Sequence, residues 1–351
     1  AHKVCDAGTA REPCMKLQLS RWVVALALMT AVSCTAATPA ELPDHIASIT
    51  SEQPTLAPGV HLILGGFVAG RQPDGNSVIF SGKDGLVVVD TGRHATQSDA
   101  ILAYAAQQHR SVAAVINSHW HLDHVSGNSR LRAIFPHLVV YASSAIEAAM
   151  SGFLADSRES GKQFLSQSGD PGQQADVRAD IATIDSGKAL FPDVKVVRSG
   201  LRTVAGRPLQ IGYAAWSVTA GDLWVYDPAS HILVAGDLVT LPAPFFDTAC
   251  PRHWKTALAE LDKVKFATLV PGHGMPMSHT QFSEYRRGFV RLLACAESTA
   301  PKAQCIEAWV VDAAAWLSDE SNRKLARGLL DYYIDGVLRG DPAKQASLCG
   351  G

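Results

Sequence analysis

Charge of either sign is scarce: Lys and Arg number 31, Asp and Glu 33, together 18% of 351 residues, and the formal net charge is −2. No polybasic run is present to attract a phosphate backbone, so nucleic acid is not an implied partner. Fixed-period repeats and low-complexity blocks are also lacking, which excludes solenoids and arrays. Long apolar runs are missing too: the stretch from Trp22 to Val32 is too short to span a bilayer as a stable helix. What is abundant is apolar composition, 47%, which describes a globular protein with a sizeable core. The length permits one large domain with extensions.

That apolar stretch follows Lys16 and Arg21 and exits through SCTAATPA, the layout of a secretory signal peptide over residues 15–40. Met15 is the expected true start, and residues 1–14 are expected to be non-native upstream sequence. Cleavage after Ala37 or before Cys34 fits; AVSC is similar to a lipoprotein signal, which makes a lipid anchor at Cys34 the secondary expectation. The expected location is the periplasm or the exterior. Cys5, Cys14 and Cys34 fall in these segments, leaving Cys250, Cys295, Cys305 and Cys349. An even number in an exported protein suggests disulfides. Cys295 and Cys305 flank a short Pro-containing turn between helical runs, so they are the expected pair, with Cys250 left for Cys349.

Short apolar runs bounded by Gly, Asp or Pro (VHLILGG, NSVIF, GLVVVD) read as strands. TQSDAILAYAAQQH has helical spacing, and the strand VAAVINS after it runs into HWHLDH at residues 119–124. The motif thus sits on a loop at a strand's carboxyl end, where layered α/β folds carry their chemistry. Residues 143–190 read as a helical, polar insertion. A second strand-rich half follows (PLQIGY, DLWVYD, HILVAGD, FATLVPG), then helix from about residue 278. Two such halves suggest a sandwich of two sheets covered by helices. The expected domains are residues 41–285 and a helical C-terminal extension, residues 286–351.

HWHLDH packs four donors into six positions. His119 and His121, two apart, face the same way in extended chain. Asp123 and His124 follow where the chain turns. Imidazole with carboxylate suits zinc, with iron or manganese as alternatives. Four such ligands cannot reach one ion from so short a loop without strain, so two adjacent ion positions follow, completed from elsewhere. Asp237 and His273 each end an apolar run beside glycines and are the distant candidates.

With these motifs in order, HWHLDH, GDL at 221–223, AGDL at 235–238 and PGHG at 271–274, preceded by VVVDTG at 87–92, the chain resembles the metallo-β-lactamase-fold hydrolases over roughly residues 58–280. The resemblance implies a four-layer αβ/βα sandwich with the metal site between the sheets. It also implies one ion on His119, His121 and a third histidine, another on Asp123, His124 and His273, and Asp237 bridging. The family's third histidine lies three residues before the glycine of GDL, and here that position is Val218. Ser217 and Thr219 offer only hydroxyls, poor ligands at neutral pH. His94 and His253 are the candidate substitutes, while Asp90 and Thr219 are candidate neighbours that orient the ligands. One tight ion and one weaker or absent ion are expected.

The activity this implies is metal-dependent hydrolysis, an activated water or hydroxide attacking a carbonyl substrate (β-lactam, lactone or other ester), with Asp123 orienting the water. The alternatives are a metal-binding but catalytically silent scaffold, motivated by Val218, and a mononuclear iron oxygenase of the same fold. The expected partner is a small-molecule substrate.

Overall fold

The computed structural model describes residues 54–67, 70–167 and 169–350. The upstream segment, the signal peptide and Cys34 lie outside the described residues. Seven strands form the first sheet, in sequence order: β1 (Thr55–Ala57), β2 (Val60–Ile63), β3 (Ser77–Ser81), β4 (Leu86–Val89), β5 (Val112–Ile116), β6 (Val139–Ala142) and β7 (Val194–Lys195). From β4 onward the pairing is parallel. The crossovers are α1 (Ala95–Gln107) before β5, then α2 (Leu122–Val125) and α3 (Asn128–Ile134) before β6. Six strands form the second sheet, again in order: β8 (Gly200–Val204), β9 (Arg207–Ala215), β10 (Gly221–Asp227), β11 (Ile232–Thr240), β12 (Thr268–His273) and β13 (Met277–Ser278). Here only β11 and β12 are parallel, joined through α7 (Pro251–Leu261).

The period of two along each strand divides its side chains between two cores. In β4, Val87 and Val89 face inward to meet Leu209, Ile211, Leu223 and Val225 of the other sheet. Leu86 and Val88 face outward to Ile101, Leu102 and Ala105 of α1. A strand buried on both faces needs a continuous apolar run, which LVVV supplies. On the far side, Trp254, Phe289, Trp309 and Leu330 cover Leu233, Ala235 and Leu269. The result is the four-layer sandwich expected from the sequence.

Two helical additions bear on the site. Between β6 and β7 stand α4 (Ala145–Ser151), α5 (Phe153–Leu165) and α6 (Pro171–Asp185), the insertion expected over residues 143–190. After β13 come α8 (His279–Glu297), α9 (Lys302–Asp312), α10 (Glu320–Tyr333) and α11 (Pro342–Leu348). A capping box of Ser278 and Gln281 starts α8 by satisfying its first free amides. The expected boundary between residues 285 and 286 falls inside this helix, whose Phe282 and Phe289 share one core with β11 and β12. Both expected disulfides are present, Cys295–Cys305 joining α8 to α9 and Cys250–Cys349 tying the residue before α7 to the residue after α11. Among the described residues no helix is long and apolar enough to cross a membrane.

Candidate metal centre

The carboxyl ends of β5, β11 and β12 meet at one edge of the sandwich, and that edge collects the polar side chains. β5 leads into His119 and His121, α2 carries Asp123 and His124, β11 carries Asp237, and β12 ends on His273. His119, His121 and Asp237 form one group and Asp123, His124 and His273 a second, the donor atoms of each lying within 4.8 Å of one another. Asp237 reaches both. Its Oδ2 is 3.7 Å from His119 Nε2, and its Oδ1 is 3.3 Å from His124 Nε2 and 3.6 Å from His273 Nε2. His273 Nε2 also stands 3.0 Å from Asp123 Oδ2. Two glycines make these approaches feasible. A Cβ on Gly272 would fall 1.9 Å from Asp237 Oδ1, and Gly236, at φ +54°, would press one against Ser118.

Neighbouring oxygens select which ring nitrogens face inward. Asp90 accepts from the Ser118 N–H (2.7 Å), from the Ser118 hydroxyl (2.7 Å) and from His124 Nδ1 (2.9 Å). With its proton on Asp90, the Ser118 hydroxyl accepts from His119 Nδ1 at 2.9 Å. Nδ1 of both rings is thus turned to these oxygens, and Nε2 of both points into the cluster. Thr248 does the same for His121. Its hydroxyl donates to the Val218 carbonyl (2.8 Å) and so accepts from His121 Nε2 (3.0 Å), which leaves Nδ1 as the lone-pair nitrogen.

What remains is a set of buried polar atoms that meet one another but make no hydrogen bond: His119 Nε2, His124 Nε2, both His273 ring nitrogens and Asp237 Oδ1. Orphaned polar atoms of this kind are costly unless something satisfies them, and a cation would do so. The residues present fit a metal ion, and the imidazole–carboxylate set is of zinc's type. The buried rings and carboxylates also act on one another. Burial pushes the Asp237 carboxyl up, but the facing His273 and His124 rings outweigh it and hold Asp237 below the usual carboxylate range. Asp123 behaves alike, burial being overcome by His124 and His273. His119 is driven well down by burial and by its histidine neighbours, so it is a neutral donor.

The remaining candidates stand elsewhere. Val218 is fully buried in the core beneath the C-terminal helices. The turn around it is tied by Asp222, whose carboxyl accepts from the Val218 N–H (2.9 Å), the Thr219 N–H (3.0 Å) and the Thr219 hydroxyl (2.8 Å), while burial pushes it up to about 7. The Thr219 hydroxyl therefore serves that turn and bonds none of the six clustered residues, contrary to the expectation that it orients a ligand. His94 bonds Asp74 Oδ2 through Nδ1 at 2.7 Å and belongs to neither group. His253, half-buried on α7, also belongs to neither. Neither histidine takes the place of the one missing at Val218. Three contributors escaped the sequence reading. Ser118 adjoins the motif but has no spacing signature, and Thr248 is 127 positions from His121. Asn76 pins the His273 loop by donating to the Pro271 and Gly274 carbonyls, at 2.9 Å each.

The centre forms part of the wall of a cavity of about 590 Å³ that also touches α5, α6 and α10.

Residues 70–273 match the family model of the metallo-beta-lactamase superfamily, and the chain belongs to it. The superfamily is largely hydrolytic and its members typically bind metal ions. A curated relative, the atrochrysone carboxyl ACP thioesterase of Aspergillus fumigatus, is 32% identical over 89 residues, 25% of this chain and 28% of that protein. The alignment therefore spans little more than a quarter of that relative. The solved sec-alkylsulfatase Pisa1 from Pseudomonas sp., described as stereoselective and inverting, has a TM-score of 0.53 at 21% identity, over 82% of this chain and 51% of that one. The metallo-beta-lactamase from Pontibacter korlensis has a TM-score of 0.48 at 21% identity, over 66% of this chain and 95% of that one. At such identities the likeness to Pisa1 concerns the fold alone.

Proposed function

We propose that this chain is an exported, zinc-dependent hydrolase that cleaves an ester-type carbonyl bond: oxygen ester, thioester, lactone or β-lactam. The observation that carries the reading is the convergence of buried, unpartnered donor atoms on His119, His124, His273 and Asp237. An ion held there supplies Lewis acidity toward a carbonyl and lowers the pKa of a water. In the reaction, the water oxygen bonds to the acyl carbon, the bond to the leaving oxygen, sulfur or nitrogen breaks, and that atom takes up a proton. Asp123, whose carboxylate lines the cavity beside the donor cluster, would accept a hydrogen bond from the attacking water and fix its direction. Asp237, one oxygen toward each group, would be shared between two positions; His119 and His121 would complete one, and His124 and His273 the other with Asp123. Two disulfides support export. The thioesterase relative favours a thioester among the candidates.

The test combines metal analysis after dialysis with turnover of p-nitrophenyl esters, acyl thioesters, lactones and a chromogenic cephalosporin. Turnover that a chelator removes and zinc restores, and that Asp123→Ala loses, is expected. Firm metal retention without turnover of any substrate would instead favour the silent scaffold.

A further inference from the structure

We infer that the substrate's acyl arm is long and apolar, an inference that rests on the hydrolase reading and narrows it. The cavity of about 590 Å³ has His121, Asp123 and Asp237 in its wall, so whatever fills it lies against the metal centre. Its other walls come from segments outside the catalytic loops. Val177 and Ile181 stand one turn apart on α6, and Leu325 and Leu329 one turn apart on α10, all lining the cavity. All four are only half-buried. Trp120, in the motif itself, meets Phe153 of α5 at 5.4 Å between ring centroids and closes the surface between centre and helices.

The cations in this cavity are already engaged. Arg71 grips Asp176 through two bonds of 2.7 and 2.6 Å, and Arg93 bonds Asp180 at 2.6 Å. Each guanidinium thus faces a carboxylate of α6, so these pairs leave the wall without a net cationic patch. An alkyl arm needs no counter-charge and gains by covering half-buried leucine, isoleucine and valine. Hydrolysis of such a substrate is balanced as above. Water's oxygen joins the acyl carbon, the carbon–oxygen or carbon–sulfur bond breaks, and the leaving atom carries off a proton.

The experiment separates this inference from the hydrolase reading by measuring binding as well as turnover. Butanoate, octanoate and dodecanoate are titrated into the zinc-loaded full chain by calorimetry. Affinity is expected to rise by about fourfold per buried methylene until the cavity is full. In parallel, kcat/KM is measured on p-nitrophenyl esters and N-acetylcysteamine thioesters with acyl chains from acetyl to dodecanoyl. The two series differ in the leaving group, so they distinguish an oxygen ester from a thioester. A rise of more than tenfold from acetyl to decanoyl is expected in at least one. Ser157→Trp, which puts an indole into the cavity from α5, and Leu329→Ser, on the opposite wall, should each lower the decanoyl-to-acetyl ratio more than tenfold at unchanged zinc content. A flat chain-length profile with good turnover would overturn the inference and leave the hydrolase intact. Graded binding without any turnover would uphold the apolar arm and sink the hydrolase. Equal affinity for butanoate and dodecanoate would overturn the inference whatever the kinetics.

Discussion

Both groups take donors from both halves of the sandwich, but in the group of Asp123, His124 and His273 the carboxylate of Asp90 holds His124 directly. The group of His119, His121 and Asp237 is built differently. Two of its donors leave one strand end, the third is shared with the neighbour, and the position from which the superfamily's third histidine would come is Val218, buried among apolar side chains. Where a ligand is missing, the burden of shaping the position shifts to contacts that orient the ligands left. Thr248 carries much of that burden, because it bridges the Val218 carbonyl and His121.

The largest effect that could break this contrast is loss of a direct ligand. His273→Ala or Asp123→Ala should weaken an ion held by Asp123, His124 and His273 by more than the roughly 100-fold that loss of an orienting neighbour costs. His121→Ala should leave that ion in place while reducing turnover. Zinc content after dialysis against a weak chelator decides it, and equal losses from all three variants would erase the distinction.

Next in size is the covalent tie behind Thr248. The Cys250 N–H bonds the Ser217 carbonyl at 2.8 Å, so the Cys250–Cys349 bridge anchors the segment that holds both Val218 and Thr248. Its ends are 99 positions apart, and replacing both cysteines with serine should cost about 4–5 kcal/mol by loop entropy. The Cys295–Cys305 bridge, with a separation of 10, should cost about 2–3 kcal/mol. Urea unfolding measures both. Only the first pair of replacements should also weaken the second ion, and an equal effect from the second pair would argue against a local link through Thr248.

The smallest expected effect is the most specific. Thr248→Val deletes the acceptor for His121 Nε2 and should weaken the second ion by about 10–100-fold, while Thr248→Ser should stay close to the parent. Competition titration with a zinc-sensitive dye reads the difference. If the valine variant binds two ions as the parent does, His121 does not depend on Thr248.

Much of this site could be read from the chain because its parts announce themselves locally. HWHLDH is contiguous and follows an apolar strand, while Asp237 and His273 end apolar runs beside glycines that their close approach requires. The two sheets were legible from runs such as LVVV, whose burial on both faces leaves no polar alternation. What could not be read is partner choice between loops. Thr219 looked available as a ligand's neighbour, yet Asp222, three residues on, captures its hydroxyl. His94 looked free, yet Asp74 takes its ring. No spacing rule joins Thr248 to His121, nor α10 to the cavity, because those contacts join segments far apart in the sequence that only the folded chain brings together.

Asp90 adopts φ +61°, a left-handed conformation that a non-glycine residue holds only when its surroundings insist. Its single carboxylate steers His124 directly and His119 through Ser118. One small lever therefore sets the aim of an imidazole in each group, and a shift at either end is felt at the other. Occupancy of the two ion positions should then be thermodynamically linked, each ion changing affinity for its neighbour by the same factor. A stepwise zinc titration in which the coupling between the two steps shrinks in Asp90→Asn, leaving the part carried by Asp237, would register that reciprocity.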